Sequence, residues 1–127
     1  MPPAKPLRQR VGQAGEAAAL SHLKQQGFKV LARDWRSRLG QVDILAEDGD
    51  TLVLVEVKAR LGTGFGLPQE AVDARKQRKL RTLLEMYRVQ NHRQSQPCRI
   101  DVLGLLLDDR LAVTKVEHIR DAVQGEN

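Results

Sequence analysis

One cysteine, Cys98, is present in 127 residues, so an intrachain disulfide and a cysteine-based zinc site are both excluded. A reducing, cytoplasmic setting fits that scarcity best. Aromatics are almost as scarce: Phe28, Trp35, Phe65 and Tyr87 are all there are, which argues against a binder that stacks successive bases on aromatic platforms. No long hydrophobic run exists. The most apolar stretch is Val102–Leu107, far short of the ~20 residues that cross a bilayer. Met1–Pro6 carries charge and three prolines but no apolar segment, so it does not read as a secretory signal. The three histidines, His22, His92 and His118, lie far apart with no ligand spacing.

What the chain has in quantity is charge. The 21 Lys and Arg outnumber the 16 Asp and Glu, for a formal net charge of +5. The excess is blocky. Residues 1–40 carry +6, 41–68 carry −3, 69–99 carry +5 and 100–127 carry −3. Two basic blocks around an acidic centre suggest a polyanionic partner, although arginines and lysines on solvated helix faces would give the same count.

At this length one domain is expected, and its core can remove roughly two thirds of the unfolded chain's surface from water. Residues 1–9 read as a flexible arm, 10–122 as the domain and 123–127 as a tail. A helix is predicted over about Gly12–Gln26, stopped by Gly27. Phe28–Ala32, Gln41–Glu47 and Thr51–Ala59 read as strands, with a hairpin turn at Asp48-Gly49. A glycine-rich loop over 60–68 leads to a long helix, about Gln69–Asn91, with an apolar stripe of Val72, Leu80, Leu83, Leu84 and Tyr87. Cys98–Leu107 and Leu111–Ile119 complete the set as strands, Cys98 reading as a small buried hydrophobe. The order is α-β-β-β-α-β-β.

Strand parity brings carboxylates together. Asp43 shares a face with Leu45, while Val42, Ile44 and Ala46 take the other. In the next strand Glu56 and Lys58 share a face with Leu52 and Leu54. A turn at Asp48-Gly49 sets Asp43 diagonal to Glu56, and a turn at Gly49-Asp50 sets them directly opposite; either puts Asp43, Glu56 and Lys58 on one face. Glu16 shares its helix face with Gly12, Ala19, Leu20 and Leu23 and so points toward the sheet. Clustered carboxylates on a half-buried face are costly unless compensated, and a Mg²⁺ or Mn²⁺ ion with oxygen ligands is one compensation. The plainer alternative is a solvated face with Glu56 and Lys58 as a surface ion pair, a pairing that contributes ~0–1 kcal/mol.

Gly40-Gln41-Val42-Asp43-Ile44-Leu45 followed by Val55-Glu56-Val57-Lys58 resembles the PD-(D/E)xK nuclease superfamily, and within it the YraN-like family of small bacterial proteins. Gly15-Glu16, Glu70-Ala71-Val72 with Lys76, and Cys98–Val102 add to the likeness, which spans roughly residues 10–122. The resemblance implies an α/β fold with a restriction-endonuclease-like αβββαβ core, a central mixed sheet flanked by helices. It implies metal ligation by Asp43, Glu56 and the Val57 carbonyl, a catalytic Lys58, and an assisting Glu16. Arg60, Gln69 and Lys76 become candidate contacts to nucleic acid at the edge of the site. The implied partner is DNA, including branched DNA, and the implied ion Mg²⁺ or Mn²⁺. The YraN-like family is similar to archaeal Holliday-junction resolvases, and that likeness implies a homodimer as one possible assembly. One position departs from the pattern: Gln41 stands where the family usually has Glu, so a carboxylate near Asp43 has become an amide.

Overall fold

The computed structural model describes residues 4–62 and 72–123. Its elements are α1 (Leu7–Gln25), β1 (Lys29–Ser37), β2 (Gly40–Asp48), β3 (Thr51–Leu61), α2 (Ala74–Gln90), β4 (Cys98–Leu107) and β5 (Val113–Ile119). The five strands form one sheet in the order β1-β2-β3-β4-β5. Neighbours are antiparallel except β3 and β4, which run parallel. A parallel pair needs a crossover, and the segment containing α2 supplies it. Among the described residues this is a mixed α/β sheet with two helices, consistent with a restriction-endonuclease-like core.

The helices cover opposite faces. Leu80, Leu83, Leu84 and Tyr87 of α2 pack with Leu45, Leu52, Leu54, Ile100 and Val102. Ala19 and Leu23 of α1 pack with Ile44, Val53, Val55, Leu103 and Leu105 on the other face. Every residue of β3 from Leu52 to Glu56 is therefore buried, as its doubly apolar sequence implies. No helix among the described residues is long and apolar enough to cross a membrane.

Several boundaries differ from expectation for local reasons. Helix α1 begins at Leu7, inside the stretch read as an arm, because Pro6 sits at its cap with a compatible φ of −54° and its carbonyl accepts from the Arg10 N–H. At the other end Gly27, at φ +86°, closes a Schellman motif, its N–H bonding the Lys24 carbonyl while that of Phe28 bonds Leu23. Strand β1 runs five residues past Ala32, to Ser37. It is an edge strand, so Arg33, Asp34 and Arg36 can be exposed there. Trp35 lies edge-on to Tyr87 at 5.5 Å between ring centroids. Helix α2 starts at Ala74 rather than near Gln69, with Asp73 as its cap accepting from the Lys76 N–H at 2.8 Å. Cys98 is exposed at the mouth of β4 rather than buried. Val123, assigned to the tail, is buried in the α2-side core.

Candidate active site

The β2–β3 ladder pairs Asp48 with Thr51 and Ile44 with Val55, so the turn is Gly49-Asp50, with Gly49 at φ +59°. The next position sets Asp43 across from Glu56, the second of the two registers expected. There the strands cease to pair in the ordinary way. The Val57 N–H donates instead to Asp43 Oδ2, at 2.9 Å. Face alternation also breaks at this point. Val42 joins Leu45 in the α2-side core, whereas Ile44 and Ala46 join the α1-side core. The carboxylates consequently do not stand in a row on one face. Glu56 is only 6% exposed and is met from the α2 side. Asp43, Val57 and Lys58 instead border an open cleft of about 900 Å³ beside α1.

Glu16 lines the same cleft from α1. Its helix is seated on Val11, Gly15, Ala19 and Leu23, one residue out of phase with the expected face, and Gly12 is exposed. Glu16 therefore stands at the margin of the buried stripe, half-buried rather than in the core. Gly15 sets its depth: a Cβ there would lie 2.3 Å from that of Ala59, so only glycine lets α1 approach β3 this closely.

The electrostatics are those of crowded carboxyls. Asp43 is pushed up from 3.8 to about 7, first by burial, then by the hydrogen bond and charge of Glu56, with a smaller push from Glu16; the Val57 N–H opposes this. Glu56 Oε2 lies 3.1 Å from Lys76 Nζ, and Glu16 Oε1 lies 3.5 Å from Arg33 Nε, yet neither oxygen has a hydrogen bond. Glu56 thus pairs with Lys76 and not with Lys58, and a burial of this depth removes the surface-pair alternative.

The remaining candidates separate. Arg60 is exposed on the cleft wall with Arg8 and Arg36. Lys76 is beneath the sheet against Glu56 rather than in the cleft. Gln69 lies outside the described residues. Gln41 lines the cleft, and its Nε2 donates to Asp34 Oδ1 at 3.2 Å.

Among the described residues, no group of three or more His, Cys, Asp and Glu side chains is gathered into a ready cation cage. The donor chemistry nevertheless fits a hard divalent ion. Two buried carboxylate oxygens lack hydrogen bonds, and Asp43 holds its proton far above the ordinary range. Asp43 and Glu56 are the side chains that could hold such an ion.

A second polar cluster, formed by residues to which sequence spacing gave no chemistry, lies away from the cleft. His22 Nε2 is 3.1 Å from His118 Nδ1, and His118 Nε2 is 2.9 Å from Asp101 Oδ2. Fully buried Asp101 also accepts from Arg99 and the Asp121 N–H. Despite burial, the hydrogen bonds from His118, Arg99 and Asp121 hold its carboxyl below the usual range. This network ties α1 to β4 and β5. Arg99 and Asp101, two positions apart and so on one face of β4, do pair, at 2.9 Å.

Residues 15–105, which include Glu16, Asp43, Glu56 and Lys58, match the profile of the uncharacterised protein family UPF0102. The chain belongs to that family. UPF0102 falls within the restriction-endonuclease-like nuclease superfamily. A UPF0102 protein of Pelotomaculum thermopropionicum is 39% identical over 115 residues, 91% of this chain and 96% of its own length. One from Geotalea daltonii is 44% identical over 112 residues, 88% of this chain and 87% of that one. One from Symbiobacterium thermophilum is 45% identical over 97 residues, 76% and 82% of the two chains. The UPF0102 likeness thus includes both the carboxylate-bearing hairpin and the α1 segment that faces it.

Proposed function

We propose that this UPF0102 protein is a Mg²⁺- or Mn²⁺-dependent endonuclease-like protein that hydrolyses phosphodiester bonds in DNA, branched or junction DNA included. The observation that carries the reading is the Asp43–Glu56 carboxyl pair, Asp43 opening to a cleft whose walls carry Lys58, Arg8, Arg36 and Arg60 and Glu56 buried beside it toward α2.

Each residue has a task its position suits. Asp43 and Glu56 would hold the ion, with Asp43 kept in place by the Val57 N–H. When bound, the ion would lower the pKa of a water and neutralise charge on the phosphate. Lys58 would donate to the scissile phosphate as its charge develops. Glu16, across the cleft, would accept a proton from the attacking water. The cleft arginines would hold flanking phosphates without reading sequence.

The test is cleavage of duplex, single-stranded and four-way-junction DNA with Mg²⁺ or Mn²⁺. Asp43→Ala and Lys58→Ala should each slow cleavage by about 100-fold or more. Absence of cleavage on all three substrates, with Asp43→Ala indistinguishable from wild type, would sink the enzymatic reading. A second reading is a catalytically inactive nucleic-acid-binding module of the same fold. Gln41 in place of a carboxylate and the lack of a three-ligand cage among the described residues favour it. That module would bind DNA in a salt-sensitive way, with neither hydrolysis nor a bound divalent ion.

A further inference from the structure

The buried end of the site contains a cation that the hydrolytic scheme does not use. Lys76 Nζ reaches Glu56 Oε2 at 3.1 Å from the first turn of α2, on the side of the sheet opposite the cleft. The Glu56 side chain is 8% exposed and that of Lys76 36%, so the carboxylate is inside while the ammonium keeps partial contact with water. The backbone N–H of Lys76 is itself fixed by the Asp73 cap at 2.8 Å. The ammonium is thus delivered from an anchored helix end.

The two lysines of the site therefore have different consequences. Lys58 lines the cleft where substrate would lie. Lys76 touches Glu56 at an oxygen that has no hydrogen bond. A buried carboxylate without a counter-charge is strongly disfavoured, and an ammonium beside a divalent ion on that carboxylate is disfavoured by like charge. Glu56 can be compensated by one or by the other, at much lower cost than by both.

We propose that Lys76 is an internal counter-ion of Glu56 that a divalent cation must displace, so that this residue of α2 sets how tightly the site takes up metal. The proposal rests on the metal-dependent reading above. It separates the roles of the two lysines: Lys58 serves the substrate, and Lys76 guards the ligand.

The experiment uses the full chain, stripped of metal, and titrates Mn²⁺ alone by calorimetry and by electron paramagnetic resonance of the free ion. Lys76→Met should bind Mn²⁺ about tenfold more tightly than wild type, and Lys76→Arg should stay within about threefold of it. Metal-free Lys76→Met should melt below wild type and regain more of its Tm on adding Mn²⁺. The added affinity should vanish in Glu56→Gln/Lys76→Met. If Lys76→Met does not fold without metal, Lys76→Gln is titrated against the same criteria. Equal or weaker Mn²⁺ binding by a folded Lys76 variant overturns the counter-ion role and leaves the metal site standing. Absence of Mn²⁺ binding by wild type and variants alike overturns the metal-dependent reading itself.

Discussion

Asp43→Asn should make the metal-free protein more stable at neutral and alkaline pH. In the fold the Asp43 carboxyl ionises near 7, against 3.8 for an unperturbed one, because it is buried beside Glu56. That difference disfavours the ionised form by about 4 kcal/mol, and solvent access through the cleft reduces it to about 2–3 kcal/mol. The sign follows from proton counting. Below about pH 4 both folded and unfolded chains carry the proton and there is no penalty. Between about 4 and 7 the unfolded chain releases it while the folded chain keeps it, so stability falls as pH rises, and above about 7 the loss is complete. Asparagine is nearly isosteric, its Oδ1 can accept from the Val57 N–H as Asp43 Oδ2 does, and it does not titrate. Urea unfolding of both proteins in EDTA at half-unit steps from pH 4.5 to 8.5 reads the difference directly. Titrating groups away from Asp43 cancel in the comparison. The curves should converge at the acid end and separate by about 2–3 kcal/mol at pH 8, with the variant above. Parallel profiles, or a variant less stable than wild type at pH 8, would show that Asp43 is not a strained carboxyl.

Gly15→Ala should cost about 1–3 kcal/mol in urea unfolding, since the new Cβ would meet that of Ala59 at 2.3 Å, and Ala59→Gly in the same chain should recover much of it. Asp101→Ala should cost about 3–5 kcal/mol by the same assay, because Arg99 and His118 would lose a fully buried partner. Arg60→Ala should weaken DNA binding by a similar factor on all sequences and lower the slope of log K against log[salt] by about 1, measured by fluorescence anisotropy. Gln41→Glu should lower metal-free stability at pH 8, because the donor to Asp34 becomes a further carboxylate beside Glu16, Asp34 and Asp43 in the cleft, and thermal melts with and without Mn²⁺ should show the ion recovering the loss.

The sheet was legible because its signals are local. Gly27 marks the end of α1, the Gly-Asp turn sets the β2–β3 register, and β3 is apolar on both faces because both are covered. The closeness of Asp43 and Glu56 was legible too, since hairpin pairing brings together residues close in sequence. What parity could not supply is the third dimension. Val42 and Ile44 turn to opposite sides of the sheet, so Asp43 opens to the α1 cleft while Glu56 faces α2. The Lys76–Glu56 pair and the His22–His118–Asp101 chain each join elements far apart in the sequence. Contacts of that kind depend on helix placement, which for α1 is set by the close approach of Gly15 to Ala59 and which no periodicity reports.

The charge pattern of the sequence becomes a local problem with three separate solutions. The acidic segment supplies Asp43 and Glu56, and α1 brings up Glu16. Asp43 answers by holding a proton, Glu56 by pairing with Lys76, and Glu16 by leaning toward Arg33. Each answer is monovalent and each comes from a different element of the fold: solvent, α2 and β1. One divalent cation among the carboxylates would replace much of all three at once. It follows that metal-free stability and metal affinity should move in opposite directions when any one compensator is removed. Taking away Lys76 or adding a carboxylate at position 41 should destabilise the empty site and strengthen its hold on the ion. Neutralising Asp43 should do the reverse. A protein whose basic residues merely solvate it would show no such opposition, since changes in surface charge would then leave the two quantities uncorrelated.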